Sequence, residues 1–286
     1  MKITNKHNLP ESLVNFAKKT LYEPKENSFS ATTLLLPTRE IILKKRHFNE
    51  LEVDCSEMVW MLFGTAVHSI LEHSDQSGKA ETYLKEHIKD GYYLTGKADL
   101  YNEETRSLED WKTASVYKVK IGDFNDWKMQ GLIYTWLFRK KGIYLENIKF
   151  HALLKDWVQR EARLNKDYPQ SPIYTYEYKC NTQDMIDIEK FIFDKFDELI
   201  AIEKNEKELP LCTEEERWYT GNKFAIMKNN QSKALRVLDT LEEAEGYLKN
   251  KGGDYIQKRV GESRKCLDYC SCNKVCDYCK KLKEEL

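Results

Sequence analysis

The sequence lacks the features that place a protein in a membrane or direct it out of the cell. No run of 18 or more apolar residues occurs among its 286 residues, so we expect no membrane span. The opening stretch MKITNKHNLPESLVNF does not have the charged-then-apolar pattern of a secretory signal. We therefore expect a cytoplasmic protein that does not associate with membranes.

An excess of charge of one sign is also lacking, since 46 Lys and Arg residues face 47 Asp and Glu residues and the net charge is −1. This balance excludes a global field that would attract a polyanion, so any nucleic-acid surface must be a local patch or use bound cations. Internal repeats and low-complexity tracts are missing too. What is present, 41% apolar and 12% aromatic residues, is ample for a globular core.

The spacing of apolar residues predicts a mixed α/β fold. The predicted helices lie at residues 30–48, 58–73, 123–142 and 182–208. The predicted strands lie on either side of the polar turn NEETRS and at residues 147–157 and 173–179. In the helix at 58–73, apolar residues recur at i, i+3, i+4 and i+7, which predicts that one face of this helix is buried.

The pattern of predicted elements changes at Pro210, after which the order strand, strand, helix, strand is expected. The predicted organisation is an N-terminal arm at residues 1–28, a core at 29–209, a small αβ insert at 210–265 and a cysteine-rich tail at 266–286.

Three charged residues lie on the two predicted strands around the turn NEETRS. Side chains alternate along a strand, so Asp110 and Lys112 point to one face, and Glu109 and Trp111 point to the other. If the strands pair as a hairpin, Asp99 lies across from Asp110, and two converging carboxylates require a cation such as Mg²⁺ or Mn²⁺ between them. Lys112 would then lie near an attacking water and a phosphate oxygen, which phosphodiester hydrolysis requires. The alternative is a surface hairpin with a cross-strand salt bridge.

Residues on the flanking helices add to this group. His68 lies at the border of the apolar helix face, where a histidine is either a metal ligand or a satisfied core residue. Gln130 and Tyr134 are four residues apart on one helix face, so both could reach one phosphate backbone. A tyrosine at this spacing is more often a core residue.

Four motifs in order, GTAVHSILE, GKADL, LEDWKTAS and QGLIY, resemble the RecB-like branch of the PD-(D/E)XK nuclease superfamily. That branch includes the nuclease domains of RecB and AddB and the RecB-like CRISPR-associated exonucleases. The resemblance covers residues 55–160 and implies a restriction-endonuclease-like core, with a mixed central sheet flanked by helices. It implies an exonuclease that processes DNA ends in recombination, repair or replication. DNA is the implied partner, with a separate helicase or single-strand annealing protein as a further one.

The resemblance also implies a site for one or two Mg²⁺ or Mn²⁺ ions. Its ligands would be His68, Asp99, Asp110 and the backbone carbonyl of Trp111. Ala98 stands where the proline of the PD motif would be, and this departure is common in such proteins.

The remaining matches concern catalysis and DNA. Lys112 would be the catalytic lysine, and Gln130 with Tyr134 would be the Q-x-x-x-Y element that contacts DNA and organises the site. The alternative function is a catalytically silent nuclease-like subunit that binds DNA or serves as a scaffold in a recombination or CRISPR-type complex. The complete set of matched residues argues against that alternative.

A nucleotide cofactor is not expected. The stretch from Gly91 to Lys97 has the G-x-x-x-x-G-K spacing of a phosphate-binding loop, but Ala98 follows it and lacks the hydroxyl that Mg²⁺ requires. The intervening residues predict a strand instead of a loop. Any motor that works with this chain would therefore be a separate protein.

Five of the eight cysteines are crowded into the stretch CLDYCSCNKVCDYC, residues 266–279. In a cytoplasmic protein such crowding is typical of metal ligation. Four thiolates can bind a structural Zn²⁺ or an iron–sulfur cluster, and spacing does not separate the two. The alternatives are thiols without a metal and a zinc module for protein contacts.

The resemblance favours a 4Fe–4S cluster, because several RecB-like nucleases carry one on an upstream cysteine and three C-terminal cysteines. This sequence departs from that pattern, because the upstream cysteine usually precedes the helix histidine and LLLPTRE contains none. We expect Cys212, which follows the core, to take its place beside Cys266, Cys270 and Cys276. Cys55 could replace the upstream ligand, and Cys272 and Cys279 are local alternatives.

Overall fold

The computed structural model describes residues 1–74 and 82–284. The chain divides into two compact units, Met1–Leu209 and Pro210–Leu286. The division falls at Pro210, where the pattern of predicted elements changes. The predicted N-terminal arm belongs to the first unit, and the predicted insert and tail belong together to the second. In the described part of the chain no helix is long and apolar enough to cross a membrane.

The first unit alternates helices and strands. Its helices are α1 (Glu11–Thr20), α2 (Ala31–Leu34), α3 (Thr38–Arg46), α4 (Val59–Ser74), α5 (Val116–Ile121), α6 (Asn125–Lys140), α7 (Gln159–Leu164) and α8 (Thr182–Glu203). Its strands are β1 (Lys2–Thr4), β2 (Ser28–Ser30), β3 (Glu52–Asp54), β4 (Thr82–Lys89), β5 (Tyr92–Ala98), β6 (Leu100–Asn102), β7 (Ser107–Ala114), β8 (Asn147–Leu154) and β9 (Ile173–Lys179).

Two sheets with both parallel and antiparallel pairs form the centre of this unit. One has the order β2-β5-β4, in which β2 and β5 are parallel, and the other has the order β6-β7-β8-β9, in which β7 and β8 are parallel. All other pairs in these sheets are antiparallel. The predicted mixed α/β fold class is confirmed, and mixed sheets flanked by helices are consistent with the restriction-endonuclease-like core expected from the sequence.

The connection from β7 to β8 contains α5 and α6, as parallel neighbours require a crossover. Alternate residues of β8, from Ile148 to Leu154, are buried. Helix α6 packs closely on this face, because a Cβ at Gly131 would lie 2.5 Å from Cγ2 of Ile148. Glycine at this position lets α6 approach β8 closely and thereby fixes the face of α6 that points toward the sheet.

Helix α8 is the long amphipathic helix predicted near residues 182–208. Its N-terminus is fixed by a capping box, in which the Asn181 side chain accepts a hydrogen bond from the Asp184 backbone N–H and the Asp184 side chain accepts one from the Asn181 N–H. Its apolar face, including Ile188, Ile192 and Phe196, is buried in the main core.

Three predictions about local structure were incomplete or wrong. The helix expected at 30–48 is two helices, because Pro37 interrupts it: Ser30 caps α2, and α3 begins directly after the proline. Strand β4 was missed, although its exposed and covered residues alternate as they do in a half-buried strand. The predicted apolar face of α4 is only partly covered, and Phe63 and Ile70 are exposed there.

The N-terminal arm packs on the segment that precedes α4. Strand β1 pairs in parallel with β3, and the Asp54 carboxylate accepts hydrogen bonds from Thr4 Oγ1 and from the Lys6 backbone N–H, both at 2.8 Å. Cys55 is buried beside Ala17 in a small apolar cluster, where its thiol contacts Asn5.

The second unit has the predicted order strand, strand, helix, strand. Its elements are β10 (Lys223–Met227), β11 (Arg236–Leu238), α9 (Leu241–Lys251), β12 (Tyr255–Arg259), a π-helical turn (Lys265–Tyr269) and α10 (Asp277–Glu284). The strands form an antiparallel sheet in the order β11-β10-β12.

Candidate functional site

Asp99 lies in the break between β5 and β6, opposite Asp110. Strands β6 and β7 pair as the predicted hairpin, with Leu100 opposite Glu109, so the next position along the register places Asp99 across from Asp110. The Oδ2 atom of Asp99 accepts a hydrogen bond of 2.8 Å from the backbone N–H of Trp111. This bond fixes the carboxylate beside β7.

Asp110 is the most deeply buried charged group of the site. Its side chain is 3% exposed, and Nζ of Lys112 lies 2.5 Å from its Oδ2 atom, so the two residues point to the same face of β7, as strand alternation predicts. Oδ1 accepts a hydrogen bond of 3.3 Å from the Gln130 amide. Apart from the Lys112 ammonium, no donor in the described chain contacts Oδ2.

His68 reaches the Asp99 carboxylate from helix α4. Its Nδ1 atom lies 3.1 Å from Oδ2 of Asp99, and its side chain is 32% exposed. The predicted alternative of a satisfied core histidine does not describe this environment, because no described side chain of α4 is fully buried.

Gln130 and Tyr134 lie beneath the acids on the inner face of α6. Both residues are buried, and the Gln130 amide donates to Asp110 and, at 3.5 Å, to the Tyr134 hydroxyl. The amide therefore holds the Asp110 carboxylate. Contact of either side chain with a phosphate stays a prediction.

Gly96 of β5 is a site residue that sequence reasoning missed. A Cβ at this position would lie 2.6 Å from Cε1 of Tyr134, so the glycine makes room for the tyrosine ring beneath the acids. The available signal was a glycine in the interior of a predicted strand, which often marks close approach of another group.

The electrostatics of the site follow from burial and from the pairing of opposite charges. Burial raises the pKa of Asp110 to about 6, with the nearby charge of Asp99 adding to the rise and Lys112 and His68 opposing it. The hydrogen bond to Asp99 raises the pKa of His68 above its ordinary value of 6.5. Burial raises the pKa of Tyr134, which keeps its phenol neutral.

The opposite face of β7 carries a separate polar group. Glu109 contacts His151 of β8 at 3.4 Å, and the Trp111 ring lies 4.9 Å from the His151 ring. Both side chains point away from Asp110, as predicted. The carbonyl of Trp111 as a metal ligand stays a prediction.

The chemistry of the donor set fits a hard divalent cation, although the side chains do not surround such an ion as they stand. In the described residues, no three His, Cys, Asp or Glu side chains are arranged to hold a metal ion. His68 contacts Asp99 directly, and the Lys112 ammonium contacts Asp110. A cation between the two carboxylates requires these contacts to open. The buried Oδ2 of Asp110, which has no donor besides that ammonium, would then be a ligand.

The cysteines of the second unit lie near one another. Burial raises the pKa of Cys212 to about 12, with further contributions from Glu216 and from the thiols of Cys266, Cys270 and Cys276. Hydrogen bonding to Cys276 raises the pKa of Cys279. The four predicted ligands are therefore close enough to interact, and ionising them together is unfavourable unless a cation compensates.

The other cysteines have different surroundings. Cys272 is buried in the second unit, whereas Cys55 belongs to the apolar cluster beneath α1 in the first. None of the eight cysteines, all of which lie in the described ranges, forms a disulfide.

Comparisons with known proteins give partial likenesses at low identity. No protein-family model matches the chain, and no curated protein matches it. The solved structure of SSO0001 is 18% identical with a TM-score of 0.48, over 67% of this chain and 85% of that one. An alkaline exonuclease from Laribacter hongkongensis is 12% identical with a TM-score of 0.41, over 63% and 91%. A phage-related exonuclease from Haemophilus somnus is 15% identical with a TM-score of 0.30, over 67% and 82%. Likenesses of this extent establish neither family nor activity.

Proposed function

We propose that the first unit is a metal-dependent deoxyribonuclease of the RecB-like branch, and specifically an exonuclease that processes DNA ends in recombination, repair or replication. The observation that carries this proposal is the convergence of His68, Asp99, Asp110 and Lys112 from three separate segments of the chain. A cross-strand salt bridge on a surface hairpin would not require a carboxylate that is 3% exposed and held by a buried amide. Burial of this kind is costly for stability and is typical of functional sites.

The residues that would hold Mg²⁺ or Mn²⁺ are His68, Asp99 and Asp110, with the Trp111 carbonyl as a further ligand. When bound, a divalent ion supplies Lewis acidity toward the phosphate and lowers the pKa of water. Bound cations also provide the positive charge that a chain of net charge −1 lacks for contact with DNA.

Lys112, Gln130 and Tyr134 have the remaining roles in the proposed hydrolysis. The Lys112 ammonium, released from Asp110, donates to a phosphate oxygen and stabilises the negative charge that develops during hydrolysis. Gln130 holds Asp110 through its amide, and Tyr134 accepts a hydrogen bond from that amide. The neutral phenol adds no charge beneath the two acids.

For the second unit we propose that Cys212, Cys266, Cys270 and Cys276 hold a 4Fe–4S cluster, with structural Zn²⁺ as the alternative. The support is that the Cys212 side chain interacts electrostatically with those of Cys266, Cys270 and Cys276, although no three described side chains are arranged around a metal ion as they stand. Iron and zinc analysis of purified protein, together with a visible absorption spectrum, tests this. A brown protein with broad visible absorption supports the cluster, and a colourless protein with stoichiometric zinc contradicts it.

Cleavage assays on three DNA forms test the nuclease proposal. We expect end-labelled linear DNA to be degraded from its ends in Mg²⁺ or Mn²⁺, and closed circular DNA to be resistant, with no cleavage in EDTA. Asp99→Asn should lose this activity, while Asp126→Asn, a change at an exposed acid on α6, should keep it. DNA binding without cleavage under every metal condition would instead support the silent DNA-binding subunit.

The proposed partners and location are those expected from the sequence. A separate helicase or single-strand annealing protein would supply or receive the DNA strands, and the cytoplasm is the proposed compartment. A pull-down of the purified chain with candidate motor and annealing proteins, in the presence of nuclease-resistant DNA, tests the first of these.

A further inference from the structure

Helix α4 presents large apolar side chains to solvent next to the proposed site. Trp60 is 56% exposed and Phe63 is 39% exposed, although side chains of this size are usually mostly buried. The two rings meet edge to face, with centroids 6.5 Å apart. They form an open aromatic surface on the helix that also carries His68.

Three residues of α4, each four positions from the next, lie over neighbouring parts of the sheet. His68 contacts Asp99 beside β6, and Gly64 lies over β7, where a Cβ would be 3.6 Å from the Thr113 hydroxyl. Trp60 lies beside the end of β8, with Nζ of Lys155 4.2 Å from the centre of its ring. The helix therefore crosses from the acids to the ends of β7 and β8.

This arrangement sets the distance between the aromatic ring and the acids. Trp60 and His68 are eight residues apart, which corresponds to a rise of about 12 Å and a separation of about 80° around the helix axis. Gly64 lies between them and has no side chain to fill the space above Thr113. The Trp60 ring and the proposed hydrolytic site thus lie on one helix, about 12 Å apart along its axis.

We propose that Trp60 and Lys155 form a subsite that binds one nucleobase of a DNA strand whose scissile phosphate lies at His68, Asp99 and Asp110. This subsite rests on the proposed function and extends it, because it places an unpaired strand along α4. A base stacks on the Trp60 indole, and the Lys155 ammonium, which lies over the ring in the absence of DNA, turns to the adjoining phosphate. Paired aromatic and cationic groups of this kind bind single-stranded nucleic acid without sequence preference.

Charge and position favour a nucleic acid over a protein as the occupant of this surface. The cation over the ring complements a polyanion, and the helix that carries the ring also carries His68, which contacts Asp99. Phe63 extends the aromatic surface by one ring beyond Trp60.

Binding measurements in EDTA test the subsite separately from cleavage. We would measure fluorescence anisotropy of a labelled single-stranded oligonucleotide with the wild type, Trp60→Ala, Trp60→Phe and Tyr144→Ala. Tyr144 is a matched control, because it is 63% exposed and precedes β8, whereas Lys155 follows that strand. Loss of one stacked base should raise the Kd roughly 5- to 150-fold in Trp60→Ala. Trp60→Phe should restore most of the affinity, and Tyr144→Ala should not change it.

Salt dependence provides a second measurement. Lys155→Ala should reduce the slope of log K against log salt concentration by about 0.7, the value for one phosphate contact on a single strand. Wild-type affinity in Trp60→Ala, or an equal loss in Trp60→Phe, would overturn the stacking role. An unchanged slope in Lys155→Ala would overturn the phosphate contact.

The outcomes separate this inference from the proposed function. If the wild type binds the oligonucleotide through Trp60 but cleaves no DNA in Mg²⁺ or Mn²⁺, the nuclease proposal fails and the subsite stands. If the wild type cleaves and Trp60→Ala cleaves single-stranded DNA with an unchanged KM, the subsite fails and the nuclease proposal stands. The exposed face of α4 would then be available to a protein partner instead.

Discussion

Replacing Asp110 by Asn should stabilise the protein in the absence of divalent ions while removing its activity. Burial raises the pKa of Asp110 from its ordinary value of 3.8 to about 6, so the native state binds the proton more tightly than the unfolded chain does. The free energy of unfolding therefore falls as the pH rises from about 4 to about 6, and the loss is complete above that window. Each tenfold change in an ionisation constant is worth about 1.4 kcal/mol, so the ionised Asp110 costs about 3 kcal/mol at pH 8.

Asparagine has nearly the same shape and does not ionise, so Asp110→Asn should avoid this cost. Urea unfolding in EDTA between pH 4 and pH 8 measures the difference in free energy of unfolding from the wild type. The free energy of unfolding of the variant minus that of the wild type should be larger at pH 8 than at pH 4, by up to about 3 kcal/mol. Mg²⁺ or Mn²⁺ should then stabilise the wild type, in proportion to its occupancy, and not the variant.

Glu109→Gln is a matched control on the adjacent position of the same strand. The hydrogen bond from His151 lowers the pKa of Glu109, so this carboxylate adds stability above its ordinary pKa of 4.5 that is lost as the pH falls. Glu109→Gln should therefore be less stable than the wild type near neutral pH and equal to it in acid, opposite in sign to Asp110→Asn. A pH-independent difference in Asp110→Asn would refute the account of a carboxylate whose pKa is raised by burial.

Gly96→Ala should displace the Tyr134 ring, because the new methyl group would lie 2.6 Å from it; we expect a loss of about 1–3 kcal/mol in urea unfolding and a lower kcat with little change in KM. His68→Gln should raise the Mn²⁺ concentration needed for half-maximal cleavage, roughly tenfold or more. Cys212→Ser should lower the iron or zinc content and visible absorbance, whereas Cys180→Ser, at a half-buried thiol of the first unit, should not. Unchanged stability in Gly96→Ala would contradict the role of Gly96, and unchanged Mn²⁺ dependence in His68→Gln would contradict His68 as a ligand. Equal metal content in Cys212→Ser and Cys180→Ser would contradict the cysteine site.

The elements that the sequence predicted well have a strong local pattern. Helix α8 has a sustained 3.6-residue period and a capping residue at Asn181, and the order of elements in the second unit is marked by clear turns. Strand alternation alone placed Asp110 and Lys112 on one face of β7, and the hairpin placed Asp99 opposite. These features depend on neighbours within a few residues.

The features that the sequence did not predict depend on what packs against each element. The apolar period of α4 indicates a face but not whether anything covers it, and Phe63 and Ile70 on that face are exposed. The hydrogen bond from Gln130 to Asp110 joins residues 20 positions apart, and it uses the amide that was expected to reach a phosphate. The burial of Asp110, which sets its pKa, likewise results from the packing of α6 against the sheet.

Cleavage by Lys112→Ala, measured beside Lys149→Ala, tests the central claim most directly. Lys149 lies on the neighbouring strand β8 and contacts Glu177 instead of the acids, so its loss should leave activity unchanged. Single-turnover cleavage of end-labelled linear DNA in saturating Mn²⁺ should fall at least a hundredfold in Lys112→Ala, with the unfolding midpoint near that of the wild type. If Lys112→Ala cleaves DNA at the wild-type rate, the assignment of this hairpin as a nuclease site is wrong.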